Sequence, residues 1–131
     1  MPAEYYFHYT SLVAAQMIIA VGSLEPRRGC IYLSEELFAS GAAAARILGI
    51  PVVGPSITGP LGLTNLTKPV EIVCCIPADY IDATMLEGPE PAEPFRDWGT
   101  GAIVYSGGGR QYRYRGELEV TGLPWLTLGR P

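Results

Sequence analysis

The chain is poor in the residues on which most catalytic and metal chemistry depends. It holds one histidine, His8, and three cysteines among its 131 residues. One imidazole and dispersed carboxylates give no ligand spacing, so no bound metal is expected. Cys30, Cys74 and Cys75 are an odd set with two members adjacent, which makes neither a disulfide framework nor a zinc pattern. Cys74 and Cys75 fall within residues 70–76, a strand-like run in which a free cysteine serves as a small packing residue. This usage points to a reducing compartment, hence the cytoplasm of the producing or of a target cell. Charge is also scarce, at 17% of residues with a net value of −4. That balance argues against a general nucleic-acid binder, which carries a basic footprint. No apolar run approaches the roughly 20 residues that span a bilayer. The N-terminus has no basic region ahead of an apolar segment, so neither a membrane partner nor a signal peptide is expected. No nucleophile-elbow motif is present, which disfavours Ser/His/Asp or Cys/His hydrolysis. The triple glycine 107–109 has no helix behind it, so it is a flexible turn rather than a phosphate-binding loop.

Glycine and proline, by contrast, are plentiful at 16 and 12 residues, and hydrophobic content reaches 48%. The composition predicts one folded domain over 1–131, with more strand and loop than helix. Residues 4–9 read as a first strand. Residues 11–21 read as a helix that is apolar nearly all round, so a buried position is expected, with Gly22 as its stop. Residues 29–33 read as a second strand. Ser34 then suits a second helix, with Glu35 and Glu36 in its first turn, running through residues 42–45 and ending near Gly49 and Pro51. Residues 51–67 read as a long loop, either a binding loop or a passive insertion. Residues 70–76 form a third strand, 86–101 a second Pro/Gly/acid loop containing Trp98, and 103–106 a further strand. In 111–120, strand alternation sets Tyr112, Tyr114, Leu118 and Val120 on one face. Arg113, Arg115, Glu117 and Glu119 take the other, which is either solvated or the floor of a cleft.

His8 ends an aromatic strand and adjoins a helix start at Thr10 or Ser11, a corner well placed to face a cleft. Alone, such a ring is more often a satisfied, partly buried residue. Arg110, Arg113 and Arg115 interleave with Tyr112 and Tyr114 and suggest single-stranded nucleic acid, but the acidic balance counts against it. One combination remains: a histidine on the first strand, a tyrosine on the second and a glutamate near the end. These residue types suit cleavage of the nicotinamide–ribose bond of NAD. The bond breaks through an oxocarbenium-like transition state, and nicotinamide departs neutral without a general acid. A carboxylate stabilises the developing charge, an aromatic ring stacks on the pyridinium, and a histidine holds a ribose hydroxyl.

The segments His8-Tyr9-Thr10-Ser11, Ile18 to Gly22 with Leu24 and Pro26, and Gly29-Cys30-Ile31-Tyr32-Leu33-Ser34 carry a resemblance. They are similar to the ADP-ribosyltransferases of the histidine–tyrosine–glutamate type. The nearest likeness is to the HYD1-like bacterial toxin domains; poly-ADP-ribose polymerases and diphtheria toxin are more distant. The resemblance covers about the first 50 residues and one late strand. It implies an α+β fold with an ADP-ribosyltransferase-like split β-sheet core, two or three short helices and long loops. It also implies NAD as substrate. His8 would bond a ribose hydroxyl, the Tyr9 backbone with Thr10 beside it would hold the carboxamide end, and Tyr32 would stack on the ring. Ser40, eight positions after that tyrosine, matches a serine that bonds the carboxamide. Ala43 stands where many members have a second stacking tyrosine, so Tyr9, Trp98 or an aliphatic side chain must supply that wall. Glu117 is favoured as the catalytic acid on the match of 117–120 to an E-φ-x-V strand. Glu119 is the alternative, because 117–119 also fits the E-x-E of the arginine–serine–glutamate toxins.

The implied activity is that of a mono-ADP-ribosyltransferase, a toxin or effector, acting on a protein target. A nucleic-acid target is disfavoured. An immunity or antitoxin protein is the implied partner. Two other readings stay open: an NAD glycohydrolase using the same residues, and a non-catalytic module that binds ADP-ribose or a protein.

Overall fold

The computed structural model describes residues 4–26, 29–50, 70–96 and 100–129; the expected loop over 51–67 and Trp98 lie outside them. In chain order the elements are β1 (Tyr5–Thr10), α1 (Leu12–Val21), β2 (Ser23–Leu24), β3 (Ile31–Leu33), α2 (Gly41–Leu48), β4 (Ile72–Pro77), β5 (Leu86–Pro91), β6 (Phe95–Arg96), β7 (Ile103–Tyr105), β8 (Arg110–Tyr114), β9 (Leu118–Glu119) and β10 (Trp125–Thr127). Short 3-10 turns at Ala78–Tyr80 and Ala83–Met85 join β4 to β5. The architecture is α+β, with antiparallel strand pairs throughout the named sheets. No helix among the described residues is long and apolar enough to cross a membrane.

The central strand is β4, which the sequence marks as apolar almost end to end. It lies between β1 and β10. Its side chains point alternately into two separate cores. Cys74 and Ile76 join a cluster with Ile31, Leu33, Tyr112, Tyr114 and Leu118. Val73 joins a second cluster with Tyr9, Phe38, Ala44, Ala45 and Leu48. A strand buried on both faces needs no polar alternation, which explains the unbroken run. The first cluster fills the space between this sheet and a second, ordered β3-β8-β5. The second cluster fills the space beneath α2. Leu33, Ile76, Leu118 and Val73 are all but inaccessible, and each such burial contributes about 2 kcal/mol.

Both predicted helices exist, but each differs from the sequence reading. The second begins at Ser40, whose Oγ accepts from the Ala43 N–H, and not at Ser34. Ser34 is held elsewhere. Its main chain exchanges two hydrogen bonds with Phe7 at 2.7 and 2.9 Å, and its Oγ accepts from the Glu36 N–H. The Tyr9 hydroxyl then donates to the Glu36 carbonyl at 2.6 Å and accepts from the Phe38 N–H at 2.8 Å. These ties fix residues 34–38 in a non-helical path. The first helix is capped as expected by Ser11 and Gly22, but it is not well buried. Ala15 alone is fully enclosed, and Leu12, Val13, Met17, Ile19 and Val21 are exposed.

The late chain also departs from expectation. The 86–101 stretch is not simply a loop, since it contains β5 and β6. The single strand read over 111–120 is two. β8 pairs with β3 and β5, whereas β9 pairs with β2, with the break at Gly116. Tyr112, Tyr114, Leu118 and Val120 are nonetheless all buried. The triple glycine is tied down rather than free. Its N–H groups donate to Arg46, Ala92 and Ile47 carbonyls at 2.9 Å each. Two of these are carbonyls at the C-terminal end of α2 that the helix itself leaves unpartnered. A Cβ on Gly109 would sit 2.4 Å from Ile47 Cγ2, so a side chain there would push β8 off the helix.

Candidate active site

The site forms where β1 and β3 part. Phe7 and Ser34 make one isolated antiparallel bridge between them. Main-chain direction alternates along a strand, so the N–H and C=O of Tyr9 and of Tyr32 turn into the space beyond that bridge. No strand ladder closes it. Instead His8 Nδ1 lies 3.0 Å from the Tyr32 carbonyl. A carbonyl only accepts, so Nδ1 carries the proton and Nε2 is left as an acceptor. Burial holds the His8 pKa below the ordinary imidazole value, outweighing the opposing effect of the Tyr32 hydrogen bond. The ring is therefore neutral at pH 7 and presents a lone pair.

Two hollows of similar size, about 340 and 370 Å³, meet at His8 and Tyr32. The first is bounded by Phe7 and Tyr9 of β1, the end of α2 with Ile50, and Phe95, with Gln111 and Arg113 of β8 also on its wall. The second is bounded by Thr10, the Met17 and Ile18 side of α1, Ser23, Glu25 and Cys30. Tyr32 is 52% exposed, so much of its ring is available for stacking. The Cys30 thiol beside its hydroxyl, together with burial, pushes its pKa up. Tyr9, with its hydroxyl engaged as described, is pushed up to about 12, mainly by burial. Both phenols are neutral at physiological pH.

Of the residues singled out from the sequence, the structure brings His8, Tyr9 and Tyr32 to the first hollow and His8, Thr10 and Tyr32 to the second. Ser40 lines neither, and its hydroxyl is occupied as the α2 cap. Glu117 and Glu119 are exposed and line neither hollow. Register nevertheless links Glu119 to the site. It stands opposite Ser23, and directly paired residues share a sheet face. Ser23 is a wall residue of the second hollow, so Glu119 is paired with a residue of that wall without itself lining the hollow. Glu117 follows the same alternation but precedes the paired segment. Ala43 packs against the second core; of the residues named to stand in for it, Tyr9 lines the first hollow, together with the apolar Leu48, Ile50 and Phe95.

Among the wall residues that the sequence did not assign to a site are Glu25, Glu93, Gln111 and Arg113. Arg113 had been placed on the charged face of its strand, which was read as either solvated or a cleft floor. Its partner across the strands is Tyr32, and that pairing is tertiary information. Glu93 is brought in by the close approach of its segment to α2. Gly49 at the helix end has φ +63°, and a Cβ there would fall 2.0 Å from the Glu93 carbonyl. In comparisons with protein families, with curated proteins and with solved structures, nothing matches this chain.

Proposed function

We propose that the protein cleaves the nicotinamide–ribose bond of NAD and transfers ADP-ribose to a macromolecule, on an ADP-ribosyltransferase-like split sheet. The observation that carries this reading is the meeting of His8 and Tyr32 at the mouth between β1 and β3, with the imidazole locked in one tautomer. A neutral ring with a free Nε2 accepts a hydrogen bond from a ribose hydroxyl. A half-exposed tyrosine offers a face to a flat cationic ring, worth roughly 0.5–2 kcal/mol. The Tyr9 N–H and C=O turned into the same opening suit a carboxamide, which needs one donor and one acceptor.

In the reaction the C1′–N bond breaks and its electron pair stays with nicotinamide, which leaves neutral. Positive charge develops on the ribose and calls for a carboxylate. Glu119 is assigned that role on its register with Ser23, and Glu117 is the second candidate. The target nucleophile then bonds C1′ and gives up its proton. Attack by water instead makes the protein an NAD glycohydrolase. A protein acceptor, an immunity or antitoxin protein and action in a reducing compartment belong to the same proposal.

The test is release of nicotinamide from NAD by the wild type, Glu119→Gln and Glu117→Gln. The proposal expects turnover by the wild type and a loss of at least 100-fold in one variant. Loss in Glu117→Gln alone reassigns the acid. Binding of NAD without turnover leaves a binding module.

A further inference from the structure

We propose that Arg113 is the anion-binding residue of the first hollow and takes the diphosphate of the bound dinucleotide. The inference rests on the NAD reading above, and it adds a recognition element that the histidine–tyrosine pair does not supply. NAD carries two adjacent phosphates, and a site made of an imidazole, a phenol and carboxylates offers them no cation. Among the described residues that line either hollow, Arg113 is the one cation. It stands directly across from Tyr32 in the β3–β8 register, so ring and guanidinium are neighbours on one sheet face. Its charge is felt at the Tyr32 hydroxyl.

The state of the guanidinium is the second observation. Its Nε lies 2.6 Å from Glu90 Oε1, yet this buried N–H makes no hydrogen bond. The contact is an ion pair with the N–H turned off the oxygen. Arg115, two residues on, is different: Nε and Nη2 both donate to Glu87 at 2.8 and 3.0 Å. Two arginines of the same segment, each facing a β5 glutamate, are thus in opposite states. Arg115 is satisfied by a forked pair, whereas Arg113 Nε is held beside its acid without a hydrogen bond to it. A planar fork of donors matches phosphate oxygens two at a time. Glu90 holds the side chain in place and is the group a phosphate would displace or share.

Calorimetric titration separates this proposal from the reading beneath it. The probes are ADP-ribose, ADP and adenosine, and the proteins are the wild type, Arg113→Gln, Arg113→Lys and Glu90→Gln, each checked for an unchanged melting transition. The expected result is ADP-ribose and ADP binding weakened at least tenfold in Arg113→Gln and less in Arg113→Lys, with adenosine affinity unchanged. Glu90→Gln, which removes the competing acid, tightens both diphosphates. Should Arg113→Gln fail to fold, the Glu90→Gln result and the Arg113→Lys result decide alone. Equal diphosphate affinity in wild type and Arg113 variants overturns the proposal and leaves the NAD reading standing. Arg113-dependent ADP binding with no nicotinamide release from NAD overturns the NAD reading and leaves the anion site. Failure of the wild type to bind any diphosphate overturns both.

Discussion

The two hollows share His8 and Tyr32 and are nearly equal in volume, yet they are built in opposite ways. The first is braced. The end of α2 is pinned by the triple glycine, and Gly49 lets the Glu93 carbonyl come close. Tyr9 ties β1 to residues 36–38 with two short hydrogen bonds. The second hollow is framed on one side by α1, a helix without a single charge whose large side chains remain mostly exposed. The difference teaches that hydrophobicity and burial are separate properties. The more apolar helix is the less buried one, and its apolar surface borders a cavity instead of filling a core.

Breaking the braced side has the largest expected effect. Gly49→Ala combines a left-handed backbone with a clash against a carbonyl, and costs about 3 kcal/mol, read as a fall in the denaturation midpoint. Tyr9→Phe comes next. It leaves the buried Phe38 N–H without its acceptor and costs about 2 kcal/mol. Urea titration of both variants should show an unchanged m-value if only the native brace is lost.

The shared residue gives a smaller, pH-dependent effect. Burial lowers the folded pKa of His8, so above about pH 6.5 both folded and unfolded chains hold it neutral. Below that pH the unfolded chain takes the proton first. The His8 contribution to stability is therefore present near neutrality and is lost as pH falls from about 6.5 through the folded pKa. Melting curves at pH 7.5 and 5.5 should show this loss, and His8→Gln should reduce it. An equal acid loss in His8→Gln would assign it to other groups. The smallest effect is expected on the α1 side. Met17→Gln replaces an exposed side chain and should change stability by less than about 0.5 kcal/mol. A larger drop would mean that α1 is braced like α2, and the contrast between the hollows would fail.

The parts of the site carried by local sequence were legible. A strand through His8, a Ser11 cap and a strand through Tyr32 each follow from a few neighbouring residues. What was illegible depended on a contest between distant groups. Ser34 is a good helix cap by type, but Phe7 and Tyr9 claim that segment first. The acidic pair at 117 and 119 could not be placed because the break at Gly116 hands the chain from β3 to β2 as its strand partner. The same applies to Arg113, whose neighbour Tyr32 lies 81 positions earlier in the numbering and beside it only through the register.

Because the chain has a single histidine, the imidazole nitrogen resonances of His8 can be followed by NMR without assignment, during titration with NAD at pH 7. The account predicts a neutral ring protonated at Nδ1, with an Nε2 signal that moves on adding NAD as it accepts a ribose hydroxyl. A ring already protonated at pH 7, or an Nε2 signal unmoved by saturating NAD, would contradict it.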